Sequence, residues 1–169
     1  INLEILGKFY DNHSLSLINR QLATHLNNCK DFDVFLTPLD SPNPNCSVDV
    51  NTLKLIKKLS NKEEKVIDVQ LRHSYPPIWN WPTDKNTKVV YIQPWEYPKM
   101  LFEWQYRFET FADMLCVPSN YERDVFVTGG MNPEKVITVP NGYDDSIFNH
   151  KPVKPYTDKI DPKKYNFVF

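Results

Sequence analysis

A few short segments carry side chains able to meet a ligand. His73 follows the apolar stretch Val66–Leu71 and precedes Pro76, Pro77 and Pro82, so a proline-stiffened loop holds it at a strand end. An imidazole there can hydrogen-bond a ligand hydroxyl. The alternative is a loop histidine on a backbone carbonyl, and spacing alone favours that plainer role. Glu96 stands between Trp95 and Tyr97. A carboxylate binds hydroxyls and aromatic faces stack on apolar ring faces, so this segment reads as an acceptor contact or, equally, as a solvated loop acid. Gly7 closes an apolar run just before a helix start, where bare backbone lets a phosphate approach the helix amides. His13, in the same loop, is a further polar contact or a surface histidine. Asn141-Gly142 reads as a tight turn.

The elements that must position these residues follow from hydrophobic periodicity. Strands are expected at Asn2–Leu6, Asp33–Leu36, Lys65–Leu71, Lys88–Ile92, Met114–Val117 and Val136–Val139. Ser14 reads as an N-cap, followed by Leu15, Ile18, Leu22 and Leu26 on one helix face. A short helix is expected over Leu53–Leu59, and an aromatic-rich one over Pro98–Ala112 with proline in its first turn. Ser119 and Glu122 form a capping box for a helix that ends at Gly129-Gly130. Alternating strands and helices imply an α/β fold with a mainly parallel sheet. Ligands of such sheets sit beyond the C-terminal strand ends. The loops Gly7–Ser14, His73–Pro82, Pro94–Tyr97 and Asn141-Gly142 are therefore the candidates.

Composition narrows the function classes. The 169 residues are 41% hydrophobic and 24% charged, as in a globular chain rather than a disordered one. Twenty basic residues against 21 acidic ones give no electrostatic case for nucleic acid. Apolar runs are far shorter than the roughly 20 residues of a membrane span. Four glycines, with no G-x-G-x-x-G and no G-x-x-x-x-G-K, remove the main support for dinucleotide-binding and P-loop readings. Three cysteines without C-x-x-C point to a reducing, cytoplasmic setting, and the four histidines lack metal-ligand spacing. Neither a metal nor a cofactor is expected. Cys116 reads as a small core residue. Trp79, Trp81, Trp104, Tyr106, Phe108 and Phe111 read as core or packing residues.

Four ordered segments carry a family likeness. Arg72-His73-Ser74-Tyr75-Pro76-Pro77, Gln93-Pro94-Trp95-Glu96-Tyr97, Cys116-Val117-Pro118-Ser119 running on to Arg123-Asp124-Val125-Phe126, and Val139-Pro140-Asn141-Gly142-Tyr143-Asp144 occur in that order. Together they resemble the N-terminal domain of GT-B glycosyltransferases of the family-4 group. In that family the motifs read R-H-x-[WY]-P-P, Q-P-W-E-[FY], V-P-S-x-[YF]-x-R-D-[VY] and V-P-N-G-V-D, and Tyr143 replaces the valine of the last. Ser14-Leu15 with Ile18-Asn19-Arg20 is similar to the family's S-L-x-x-V-N-R, with isoleucine for valine.

The resemblance implies two Rossmann-like lobes with helices on both sheet faces. Residues 1–149 would be the acceptor-side lobe, 150–165 a linker, and 166–169 the start of a donor-binding lobe lying outside this chain. It implies a retaining, metal-free transfer of a sugar from a nucleotide-diphosphate donor to an acceptor hydroxyl. His73 would contact the sugar near its anomeric centre. Gly7, His13, Trp95, Glu96 and Asn141 would be substrate contacts. Arg72 is expected to be a structural ion-pair residue, since alternation turns it away from His73. The competing expectation is a non-catalytic glycan-binding or partner-docking module, marked by an exposed apolar patch. Peripheral membrane association is compatible with either, although no basic amphipathic helix supports it.

Overall fold

A computed structural model describes residues 1–63, 65–143 and 145. The expected linker and the strand expected at 166–169 lie outside the described residues. Six strands form one all-parallel sheet: β1 (Asn2–Gly7), β2 (Asp33–Pro38), β3 (Val69–His73), β4 (Lys88–Ile92), β5 (Met114–Val117) and β6 (Val136–Thr138). Their spatial order is β2-β1-β3-β4-β5-β6. Four helices accompany them: α1 (Ser14–Asn27), α2 (Val50–Ser60), α3 (Phe102–Phe111) and α4 (Asn120–Thr128). The architecture is the α/β, Rossmann-like arrangement that the alternation implied. No helix among the described residues is long and apolar enough to cross a membrane.

The chain leaves β1 in one direction, towards β2, and leaves β3 in the other, towards β4, β5 and β6. Parallel crossovers keep one hand, so this reversal puts α1 on one face and α3 and α4 on the other. Two separate cores result. Ile5, Val34 and Leu36 pack with Ala23 of α1 and with Ile56 and Leu59 of α2. Val89, Tyr91, Leu115, Val117 and Val136 point to the opposite face and pack with Phe108 of α3 and Phe126 of α4. Trp79 fills that second core, its ring 4.7 Å from Phe108 and 5.6 Å from Tyr91.

Several expected boundaries move, each for a visible reason. β3 runs over Val69–His73 rather than Lys65–Leu71, because its ladder with β1 begins at Leu3–Val69 and Val66 stays exposed ahead of it. His73 is thereby the last strand residue, not the first loop residue. The N-cap of α1 is His13, without a side-chain cap, so Ser14 is the first helical residue rather than the cap. The deepest line of α1 is Ser16, Asn19 and Ala23, with Leu22 and Leu26 only partly buried beside it. α2 starts earlier than its apolar pattern because Asp49 caps it, accepting from the amides of Asn51 and Thr52. α3 begins at Phe102, not Pro98. The Lys99 carbonyl is engaged by the Trp95 indole N–H at 3.1 Å, which holds the preceding turn out of the helix.

The serine half of the expected capping box of α4 forms: Ser119 Oγ accepts from the Glu122 amide at 3.2 Å, whereas the Glu122 carboxylate takes the Trp95 amide and the Ser119 hydroxyl in place of the Ser119 backbone N–H. Gly130, at φ 103°, supplies the left-handed residue behind this helix. Cys116 is half-buried rather than core, and the three thiols are free. Trp81 and Tyr106 are exposed, whereas Trp104 and Phe111 are partly buried.

Candidate functional site

The reversal of strand order falls between β1 and β3, where open α/β sheets form a ligand crevice. In the β1–β3 register Gly7 lies directly beside His73, both at C-terminal strand ends and on the face that α1 covers. Two residues far apart in sequence thus meet at the place where this fold binds ligands.

Asn19, on α1, joins them. Its Nδ2 donates to the carbonyls of Lys8 at 3.0 Å and His73 at 3.2 Å, and its Oδ1 lies 2.8 Å from His73 Nδ1. A Cβ on Gly7 would press into the Asn19 amide and stand 2.6 Å from the His73 carbonyl oxygen. The missing side chain is therefore required by the protein's own packing, a different use from the phosphate approach expected of it. One turn on, Arg20 donates to the carbonyls of Phe9 at 2.8 Å and Asp11 at 2.9 Å. Asp40 accepts the amides of Phe9 and Tyr10, each at 2.8 Å. The Asn19-Arg20 pair thus fastens the β1–α1 loop to the end of β3. Sequence periodicity missed Asn19 as a site residue; a fully buried asparagine on the core line of an amphipathic helix is the signal that marks it.

His73 is 1% exposed. Burial penalises its charged form and lowers its pKa from the ordinary 6.5 to about 4. The ring is neutral at physiological pH, a hydrogen-bonding group rather than a cation. Arg72 points to the other face, as alternation requires, and is also 1% exposed. It is structural, but its direct partners are neutral rather than an acid. Nε donates to Gln70 at 2.6 Å, and one guanidinium nitrogen reaches the carbonyls of Ile78 and Asn80 and the Tyr91 hydroxyl. The nearest step to a negative charge is relayed, because Gln70 in turn donates to the Glu4 carboxylate. Arg72 thereby pins the proline-rich loop that follows His73.

The loop after β4 is fixed from the next helix. Glu122 is 7% exposed and accepts the Trp95 amide at 2.8 Å and the Ser119 hydroxyl at 2.9 Å. The residue expected only to cap α4 also holds the Gln93–Tyr97 segment. Trp95 turns inward, 6% exposed, with its ring 5.1 Å from Trp104 and 5.4 Å from Tyr97. Its face is taken up by the core. Glu96 and Tyr97, beside it, are exposed at the C-terminal edge of the sheet.

The remaining expected contacts do not converge on this point. His13 is an exposed residue at the start of α1. Asn141 is exposed beyond β6, the edge strand three positions from β3, or about 14 Å across the sheet at ordinary strand spacing. Two shallow grooves of about 300 and 340 Å³ lie at the opposite, N-terminal edge, one around Asp33, Lys62 and Lys65 and the other around Trp81, Lys88 and Asp113. Neither involves a candidate residue. Among the described residues no group of three or more His, Cys, Asp or Glu side chains is placed to hold a metal ion. No family model matches the chain, and no curated protein matches it.

Proposed function

We propose that the chain is the acceptor-side lobe of a retaining GT-B glycosyltransferase. The whole enzyme would move a sugar from a nucleotide-diphosphate donor to an acceptor hydroxyl, with a donor-binding lobe contributed by residues outside this chain. The observation that carries the reading is the placement of the R-H-S-Y-P-P histidine. His73 is buried, neutral and fastened at the topological switch point, in register with Gly7. A neutral imidazole there suits hydrogen bonding to a sugar hydroxyl, because it brings no charge to attract solvent or counter-ions. Glu96 and Tyr97 stand on the next loop along the same sheet edge, where an acceptor would lie. The departing diphosphate, stabilised by the other lobe, would take the acceptor proton, so this lobe need not supply a base.

The test begins with the intact mass of the natural gene product, measured by denaturing mass spectrometry. A product about twice this chain's mass, with transfer from a nucleotide-sugar that His73→Ala lowers at least tenfold without unfolding the protein, is expected. Wild-type turnover in that variant removes His73 from the site.

A second reading is favoured by one surface. Tyr75, Tyr97, Leu101, Phe102 and Tyr106 are all exposed around the C-terminal edge and α3, with Phe102 at 82%. Apolar groups concentrated there suit a non-catalytic, partner-docking module. A natural product of this chain's own mass, binding a glycan or a partner chain without transfer, would put this reading first.

A further inference from the structure

The geometry points to Asn19 as the positioning residue that fixes the His73 ring with its proton on Nδ1 and its bare Nε2 towards the ligand crevice. The inference rests on His73 being the ligand-facing group of the proposed transferase. Asn19 is fully buried, so each of its hydrogen bonds is made to protein or not at all. Its amide touches two backbone carbonyls, those of Lys8 and His73, and carbonyls only accept. The NH₂ end must therefore face them. That assignment leaves the Asn19 oxygen opposite His73 Nδ1 at 2.8 Å. An oxygen acceptor at that distance requires a hydrogen on Nδ1.

The consequence reaches the second nitrogen. In a neutral imidazole with Nδ1–H, Nε2 carries only a lone pair. Nε2 makes no hydrogen bond to any described residue, and it is not one of the buried unpaired atoms there, which are Ser16 Oγ and one Arg72 guanidinium nitrogen. The crevice is thereby offered an acceptor. The ligand atom opposite must bear a hydrogen, as a sugar hydroxyl does and an ionised phosphate oxygen does not. His73 would then select hydroxyls and leave the diphosphate to other groups. Gly7 completes the device, since any side chain there would displace the Asn19 amide.

The test is a long-range ¹H–¹⁵N correlation spectrum of the ¹⁵N-histidine-labelled chain at pH 7.5, with His73 assigned by its loss in His73→Asn. Wild type should show His73 in one tautomer, protonated on Nδ1, while the exposed His13 and His25 average between both. Asn19→Ala removes the acceptor, and the His73 signals should shift to the Nε2–H form or to a mixture. Asn19→Asp keeps an oxygen opposite Nδ1 and, where it folds despite losing the donors to the Lys8 and His73 carbonyls, should keep the proton there. A wild-type proton on Nε2 overturns the inference, as does a folded Asn19→Ala variant with an unchanged tautomer. If Asn19→Ala fails to fold, the wild-type spectrum decides. The readout needs no substrate. Absence of sugar transfer with the expected tautomer counts against the transferase reading alone, and the wrong tautomer with intact transfer counts against Asn19 alone.

Discussion

Replacing His73 by Asn should change how stability responds to acid. The substitution keeps a donor near the Asn19 oxygen and removes the titrating ring. In the unfolded chain His73 titrates near 6.5, and in the folded protein near 4, because burial disfavours the imidazolium. The unfolded state therefore binds the proton first as pH falls. The stabilisation due to the neutral ring is complete above pH 6.5 and is lost progressively down to about pH 4. At 1.36 kcal/mol per pH unit, the loss from this residue amounts to about 2 kcal/mol by pH 5 and about 3 kcal/mol by pH 4. Urea denaturation of wild type and His73→Asn at pH 7.5, 6, 5 and 4.5 measures it directly. The acidic residues with lowered pKa, such as Asp33 and Asp113, contribute equally to both proteins and cancel. Wild type should lose about 2 kcal/mol more than the variant between pH 7.5 and pH 5. Parallel stability profiles would refute the buried, neutral ring and the hydrogen-bonding role built on it.

Gly7→Ala should cost about 1–3 kcal/mol, because its Cβ meets the His73 carbonyl at 2.6 Å and backbone at a parallel ladder cannot move far; thermal or urea melts read it, and a neutral result would mean Asn19 can swing away. Glu122→Ala leaves the Trp95 amide unpaired in the core and should cost about 2 kcal/mol, accompanied by a change in tryptophan emission. Ser119→Ala removes the cap and the hydroxyl that donates to Glu122 but leaves the Trp95 amide paired, and should cost about 1 kcal/mol, so a melt that separates these two variants tests whether Glu122 does more than cap. Phe102→Ser at an 82% exposed position should leave stability within about 0.5 kcal/mol of wild type, and a large loss would show that α3 is covered.

The fold class was legible because parallel α/β chains declare themselves through alternation of short apolar runs with helical periodicity. β4 and β5 were placed to the residue, since their apolar runs end at Gln93 and Pro118, which stop the pattern sharply. β3 was misplaced because Val66, Ile67 and Val69 look alike in sequence, and only pairing with Leu3 and Gly7 of β1 decides which of them enter the ladder. The Ser119 cap of α4 was local, carried by residues three apart, and it formed, while the Glu122 carboxylate was drawn away to the Trp95 amide, a partner local spacing does not record.

The candidate site divides along the same line. Residue type and loop position marked His73 and Glu96, and the sequence by itself determined that each would lie at or just beyond the C-terminal end of a strand; that His73 is still within the ladder was decided by pairing with Gly7. The tertiary structure decided that Gly7 and His73 are neighbours, because strand order is set by which apolar faces pack together and not by distance along the chain. It also decided that Trp95 is core, that Asn141 stands at the far edge, and that Asn19 and Glu122 hold the site from behind. Periodicity records which residues are apolar. It carries no account of which buried polar group finds which carbonyl, and that pairing exists only once α1 and β3 have been brought into contact.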